Sequence, residues 1–367
     1  MRESGTIETL TSKQYECICK LRETFKKELM EFPELNTRWC LLRFCRARNF
    51  DIHKIEHMMR NMFEWRHLVD FKRIFSKDHS EYIEIEKCCV SGCYNVDRVG
   101  RPVFIERLGL TDINELLKDK YAQLKVDYFI QRIERQIFIQ LPLASQLAGR
   151  RIDKIFMIMD FKGVSTSMLI GSKFKGFLRF LTKFSQDYYP ELLGKCIIVN
   201  APFVIKFLWT MVKLWLDKKT TDKIEIHNSL PVKRLTEYID PENLPYFFGG
   251  KCQIPLNENP GPWRDEIERS RQNKTPFLID RAPEYKYFYV DSDFDVITAN
   301  QNTNKTSINR YVKEGSQLIN NKGYSIRESK VATTRNNTYL LDSLYSDEHN
   351  KVAEVRVFKS LLRIKQE

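Results

Sequence analysis

The chain is 367 residues long, 42% hydrophobic and 29% charged, a balance that excludes collagen-like, fully disordered and membrane-spanning chains and leaves room for two or three domains. Its 60 Lys and Arg against 48 Asp and Glu give +12 at pH 7, which suits an anionic partner, either nucleic acid or an acidic membrane surface. Nine cysteines without a Cys-x-x-Cys spacing argue against a disulfide framework or a zinc site and for a reducing cytosol.

No apolar leader opens the sequence, and the longest uncharged apolar stretch, 196–205, is too short to span a bilayer, so any membrane contact is expected to be peripheral. Residues 11–65 carry a helical period. Trp39, Leu41, Leu42, Phe44 and Cys45 alternate with Arg43, Arg46 and Arg48 in a basic amphipathic helix. Asp51 is placed to cap a second helix, whose apolar face is Ile55, Met58, Met59, Met62 and Trp65. From 88 to 250 short apolar strands alternate with helices, the signature of an α/β sheet. Strands are predicted at 103–105, 155–159, 196–199 and 223–227. Helices are predicted at 121–140, stopped by Pro142, at 166–184 and at 202–216. Beyond Gly250 prolines interrupt the pattern, and only 285–290 and 352–362 look strand-like.

The signals for an enzyme are weak. His53 and His57 have the spacing of a zinc pair but lack a following Glu and a third ligand, so surface histidines are the better reading. Neither a nucleophile elbow nor a phosphate-binding Gly-Lys loop is present, and Asp160 at a strand end fits a structural hydrogen-bonding role. Nucleic-acid binding is disfavoured because the basic residues are dispersed and no reading motif interleaves them with aromatics.

The segment 202–217 is more informative. Lys206, Thr210, Lys213 and Asp217 make one thin polar stripe, and Phe203, Phe207, Leu208, Trp209, Met211, Val212 and Trp215 fill the remaining surface. From pattern alone a helix buried on most sides is the better reading. The alternative is a helix that covers an apolar cavity and faces lipid, with Trp209 and Trp215 at a membrane interface and Lys213, Lys218 and Lys219 drawn to anionic headgroups.

Read in order, several stretches resemble the CRAL-TRIO lipid-binding family, and most of all its yeast-type secretory-pathway phosphatidylinositol/phosphatidylcholine transfer proteins. They are Leu-Leu-Arg-Phe-Cys-Arg-Ala-Arg-Asn-Phe-Asp at 41–51, Gly-Arg-Pro-Val-Phe at 100–104 and Met-Asp-Phe-Lys-Gly-Val-Ser at 159–165. Gln-Asp-Tyr-Tyr-Pro-Glu follows at 186–191, Ile-Val-Asn-Ala-Pro-Phe at 198–203, Glu-Asn-Leu-Pro at 242–245 and Phe-Gly-Gly at 248–250. The likeness runs from about residue 10 to 270, ending with Gly-Pro-Trp-Arg-Asp at 261–265. It implies an N-terminal helical subdomain (1–84), an α/β lipid-binding domain (85–250) with a deep apolar pocket, and an extension of unassigned role (251–367).

The same resemblance makes 202–216 a mobile gate over the pocket, reversing the preference for a plain core helix. It carries four headgroup positions onto Arg48, Glu191, Thr220 and Lys223. Arg and Lys neutralise a phosphate, the Thr hydroxyl donates to it, and the carboxylate accepts from inositol hydroxyls or orients the Arg. One neighbour departs: relatives commonly carry Lys where this chain has Asn49. The choline-lipid site does not carry over, because its hydroxyl-bearing positions hold Cys93, Phe104, Ile133, Ile155 and Met157, which leaves a second ligand open: a sterol, another hydrophobic lipid or nothing. The acyl pocket and gate are expected to comprise Phe104, Ile133, Ile155, Met157, Phe203, Phe207, Leu208, Met211, Val212 and Trp215.

The implied function is phosphatidylinositol binding and exchange with membranes by a non-enzyme without metal or cofactor. The expected protein is a monomer, cytoplasmic and peripherally associated with Golgi or endosomal membranes, with a phosphatidylinositol kinase as a candidate recipient of its lipid. The alternative is a lipid-sensing scaffold that recruits a partner through its C-terminal extension.

Overall fold

Thr11 and Gln14 cap one another at the start of α1 (Ser12–Thr24), each side chain accepting from the other's backbone N–H. After α2 (Lys26–Glu31), Thr37 caps α3 (Arg38–Ala47) and Asp51 caps α4 (Ile52–Val69), the latter as predicted. Ile18, Leu21, Leu41, Leu42, Ile55 and Met59 from these helices close a small core of their own. The computed structural model describes residues 10–76, 82–116, 118 and 121–265, so the strand-like runs at 285–290 and 352–362 lie outside the described residues.

Short helices α5 (Phe71–Ser76) and α6 (Ile83–Cys88) lead into a five-stranded sheet of order β1-β2-β3-β4-β5. The strands are β1 (Ser91–Val96), β2 (Pro102–Arg107), β3 (Ile155–Asp160), β4 (Leu193–Val199) and β5 (Ile224–Ile226). Only β1 and β2 pair antiparallel; the other neighbours are parallel, as helical crossovers require. Alternation along each strand divides the sheet into two faces. Val103, Ile105, Phe156, Ile158, Ile197 and Val199 face one core, shared with Leu235 of α14 (Val232–Tyr238), Ile239, Leu244 and Phe248. Their neighbours face the opposite side, where the cavity lies.

Three helices differ from expectation. After α7 (Ile113–Leu116), α8 (Ala122–Arg135) does not end before Pro142 but continues through a π-helical turn, Gln136–Gln140, into α9 (Leu141–Ala148). Proline offers no N–H and its ring crowds the preceding turn; the widened turn, with the Leu141 N–H bonded to the Gln136 carbonyl, absorbs both effects. The predicted helix at 166–184 is instead α10 (Thr166–Ile170) and α11 (Ser172–Tyr188), parted at Gly171, whose extended backbone caps α11. The predicted helix at 202–216 contracts to α12 (Val204–Val212), because its ends are wound as tighter turns. Ile205 N–H bonds to Pro202 O and Trp215 N–H to Val212 O.

Residues 251–265 lie back against β1. Tyr94 Oη donates to the Ile254 carbonyl at 2.7 Å, the Cys93 N–H donates to Asn259 Oδ1 at 2.9 Å, and Trp263 is fully buried. Gly92 permits this approach, since a Cβ there would stand 2.7 Å from the Leu256 carbonyl oxygen. The N-terminal helices join the sheet domain through Trp65, which stacks on Tyr188 at 4.2 Å and meets Phe184 and Tyr189 edge-on. Beneath it Arg66 is buried with Glu134. The two lie 2.5 Å apart, Arg66 also reaches Glu34 at 2.9 Å, and Tyr189 Oη donates to Glu134 at 2.7 Å.

Candidate ligand-binding site

The second face of the sheet is a wall. Phe104 and Glu106 of β2, Ile155, Met157 and Met159 of β3, Cys196 and Ile198 of β4, and Ile224 and Ile226 of β5 line a cavity of about 900 Å³. The register sets these residues in rows, with Phe104 opposite Met157, Met157 opposite Cys196 and Cys196 opposite Ile224. Phe129 and Ile133 of α8, Leu178 and Leu181 of α11, and Leu208 and Val212 of α12 close the other sides. A chamber of this size and apolarity suits an alkyl or acyl body rather than a polar metabolite. Burial, with Glu106 nearby, pushes the Cys196 thiol in this wall up to about 12.

Polar groups gather at one mouth. Arg48 ends α3 as its C-cap and is followed by Asn49 and Phe50, both with left-handed backbone. Glu191, also left-handed, follows Pro190 just after α11, and its carboxylate meets Lys223 Nζ at 3.4 Å. Thr220 lies in α13 (Lys218–Thr221), a single turn capped by Asp217, which accepts from the Thr220 N–H and from its hydroxyl, both at 2.8 Å. The structure therefore brings Arg48, Glu191, Thr220 and Lys223 onto the rim of one cavity. Arg48 donates to the Ala47 carbonyl at 3.1 Å.

Lys219 meets Asn49 from across the rim. Its Nζ donates to Asn49 Oδ1 at 2.6 Å and to the Arg46 carbonyl at 3.3 Å, so a cation sits beside Arg48 at the mouth. Asn49 and Lys219 are 170 residues apart, which hides the pairing from the sequence. Gln186 makes a second tie across the mouth, donating to the Trp215 carbonyl at 2.8 Å.

The gate residues divide by face. Leu208, Val212 and Trp215 line the cavity with Trp209, whereas Met211 packs among Leu169, Phe174 and Ile205 without lining it. Phe203 and Phe207 point outward, 81% and 65% exposed, and Leu214 joins them at 81%. Lys206 lies over the Phe203 ring at 5.5 Å. Such an apolar ridge on a solvent face is unusual for a monomer and marks a contact surface.

Away from the mouth, the walls hold polar residues that the sequence reading missed. Arg132 of α8 spreads its guanidinium over the Phe104 and Phe129 rings at 4.7 and 4.6 Å, and its Nη1 lies 3.8 Å from the Glu106 carboxylate. Gln136, in the π turn, lines the same space at 4% exposure. The four-residue step from Arg132 to Gln136 was the available signal, but which way that helix face points is set by packing. A smaller pocket of about 150 Å³ shares Phe104, Arg132 and Gln136 with the cavity and includes Cys93. His53 and His57 are exposed, and among the described residues no His, Cys, Asp and Glu cluster could hold a metal.

A helical N-terminal unit leading into a mainly parallel sheet, with an apolar chamber between that sheet and its helices, defines the class. The CRAL/TRIO domain model matches residues 86–250, and the CRAL/TRIO N-terminal domain model matches residues 8–61. The chain belongs to the CRAL/TRIO family. It is 37% identical over 241 residues to the phosphatidylinositol/phosphatidylcholine transfer protein SFH7 of Arabidopsis thaliana, covering 64% of this chain and 44% of that one. With the SEC14 cytosolic factor of Kluyveromyces lactis it shares 32% identity over 284 residues, 74% of this chain and 92% of the relative. The solved structure of Sfh5 superposes with a TM-score of 0.50 at 18% identity, covering 72% of this chain and 98% of that one, a likeness of fold. The chain spans less than two thirds of the length of several plant relatives, 44% of SFH7 and 42% of SFH12. No described helix is long and apolar enough to cross a membrane.

Proposed function

We propose that this protein takes phosphatidylinositol from one membrane and delivers it to another, or presents it to a lipid kinase, with the inositol phosphate held by Arg48, Thr220, Lys223 and Glu191. The observation that carries the reading is the union of one apolar chamber with those four side chains on its rim. At roughly 0.8 kcal/mol per methylene, drawing two acyl chains into water costs on the order of 20 kcal/mol, so spontaneous exchange is slow. A chamber as apolar as the bilayer makes the step nearly balanced. Basic charge draws the protein to anionic headgroups, and no covalent bond changes.

The test is transfer of labelled lipid between two vesicle populations. Phosphatidylinositol is expected to move readily and phosphatidylcholine slowly. Phe104, Ile133, Ile155 and Met157 line the chamber without a hydroxyl, and each unsatisfied phosphocholine group costs about 1–3 kcal/mol. Comparable rates for the two lipids would defeat the selectivity; no transfer of phosphatidylinositol would defeat the function.

The gate works in this reading through its outer ridge. Phe203, Phe207 and Leu214 enter the headgroup layer while Leu208 and Val212 turn away from the cargo. Replacing Phe203 and Phe207 together by Ser is expected to slow transfer about tenfold, because rings only partly sunk in the headgroup layer realise a fraction of the about 1.5–3 kcal/mol each contributes when fully buried. Retention of lipid by the purified protein should be unaffected, because neither ring lines the chamber. Unchanged transfer by this variant would move the entry route elsewhere.

A further inference from the structure

The headgroup rim holds more positive charge than one phosphodiester can neutralise. Of the carboxylates lining the chamber, Glu191 meets Lys223 at 3.4 Å, Glu106 faces Arg132 at 3.8 Å, and Asp187 pairs with Lys183. Asp217 caps α13, accepting from the Thr220 N–H and hydroxyl. Arg179 lies over the Trp215 ring at 5.9 Å. Arg48, Lys218 and Lys219 remain at the mouth and form no ion pair among the described residues. Three cations thus stand against Asp217 alone, whereas the phosphodiester of phosphatidylinositol supplies a single negative charge. Lys219 is the cation best placed to take more. Both acceptors of its Nζ, Asn49 Oδ1 at 2.6 Å and the Arg46 carbonyl at 3.3 Å, are neutral. Asn49 directly follows Arg48 at the end of α3, so the ammonium is held beside the guanidinium instead of swinging in solvent. Single unpaired lysines are common on surfaces. Cations gathered at the mouth of an apolar chamber point to an anion that arrives with an apolar body.

We infer that the rim prefers an inositol lipid with a phosphomonoester on its ring, a phosphatidylinositol monophosphate, over phosphatidylinositol, and that Lys219 determines this specificity. The inference rests on the reading of the rim as an inositol-lipid site. A phosphomonoester carries about −1.5 to −2 near pH 7 and three acceptor oxygens. It draws the Lys219 ammonium away from Asn49 and the Arg46 carbonyl, exchanging two neutral acceptors for a charged one, and a charged acceptor makes a bond roughly twice as strong. Phosphatidylinositol has only ring hydroxyls to offer at that place. They accept from an ammonium no better than the Asn49 carboxamide does, so the exchange gains little. A soluble inositol phosphate shares the same chemistry, and the two sources differ in whether the chamber below is filled.

The test uses the full chain and acyl-labelled lipids in vesicles whose surface charge is held constant with phosphatidylserine, so that extraction into the protein is read and not adsorption. Phosphatidylinositol is compared with its three ring monophosphates, and soluble inositol bisphosphate is the competitor. At least one monophosphate should be extracted at about tenfold lower protein concentration than phosphatidylinositol, and the advantage should shrink as salt is raised. Lys219→Met should remove that advantage while lowering phosphatidylinositol extraction less. Asn49→Gly tolerates the left-handed backbone, removes the tie and leaves the cation, so it should keep the advantage. Equal extraction of all four lipids by a wild-type protein that transfers phosphatidylinositol overturns the inference and spares the proposed function. So does an Asn49→Gly variant that loses the advantage as fully as Lys219→Met, since Lys219 is then only a brace across the mouth. Monophosphate extraction that depends on Lys219, in a protein unable to transfer phosphatidylinositol, supports the inference and removes phosphatidylinositol as the cargo. Competition by inositol bisphosphate at the lipid's own concentration supports the recognition and makes a soluble inositol phosphate its source; competition only in large excess makes it the lipid.

Discussion

Replacing Arg48 and Lys223 together by Ala is expected to lower phosphatidylinositol transfer by about 100-fold, with the fold retained. Each cation removed leaves phosphate charge uncompensated, and a charge-assisted hydrogen bond contributes about 1.5–3 kcal/mol, or roughly tenfold or more in affinity. The fold should tolerate the change because Arg48 contributes one bond to the Ala47 carbonyl and Lys223 one contact with Glu191 at 3.4 Å. Adding Lys219→Ala should deepen the loss, since Lys219 brings a further cation to the rim, where it bonds Asn49 beside Arg48. The measurement is transfer between vesicles at fixed ionic strength, with thermal unfolding as the check on integrity. Normal transfer by the double variant would remove the rim residues from the site.

The largest effect on stability is expected at Arg66. Arg66→Met should lower unfolding free energy by about 3–5 kcal/mol, because it leaves Glu134 as an uncompensated buried charge. The side chains of Arg66 and Glu134 are 2% and 1% exposed, and Tyr189 shares the carboxylate. Burial pushes the Glu134 carboxyl up, and the Arg66 charge opposes that rise. Exchanging the pair together, as Arg66→Met with Glu134→Leu, should recover most of the loss, which separates charge burial from packing. For comparison, Arg98→Ala at the exposed Arg98–Asp240 pair should cost about 1 kcal/mol or less. Urea unfolding monitored by Trp65 and its neighbours reads both. A loss at Arg66 no greater than at Arg98 would mean that water reaches the pair.

Local chemistry made some of this legible in the sequence. Asp51 followed by Ile55, Met58, Met59 and Met62 specifies a capped amphipathic helix without outside help, and α4 has that cap and that buried face. The strands around Ile155 and Ile197 are apolar on both faces, so their burial was plain, but β1 was hidden by its composition. Ser-Gly-Cys-Tyr-Asn-Val contains a glycine kept for the approach of Leu256 and an asparagine with left-handed backbone. The resemblance pointed to the four rim positions, Arg48 and Glu191 inside the quoted stretches and Thr220 and Lys223 just after the gate, and all four line the cavity. The place of Arg132 and Gln136 in the chamber wall could not be read, since it depends on a helix that passes through Pro142 and on the rotation the π turn imposes. Lys219 escaped for a different reason: its partner is remote in the chain.

The Cys196 thiol has a consequence for the cargo. With its ionisation pushed up to about 12 by burial, it stays a thiol at neutral pH. Unsaturated acyl chains oxidise to electrophilic aldehydes, and a thiolate in the chamber wall would capture them as covalent adducts. The protonated form is a poor nucleophile, so the chamber wall is slow to form such adducts.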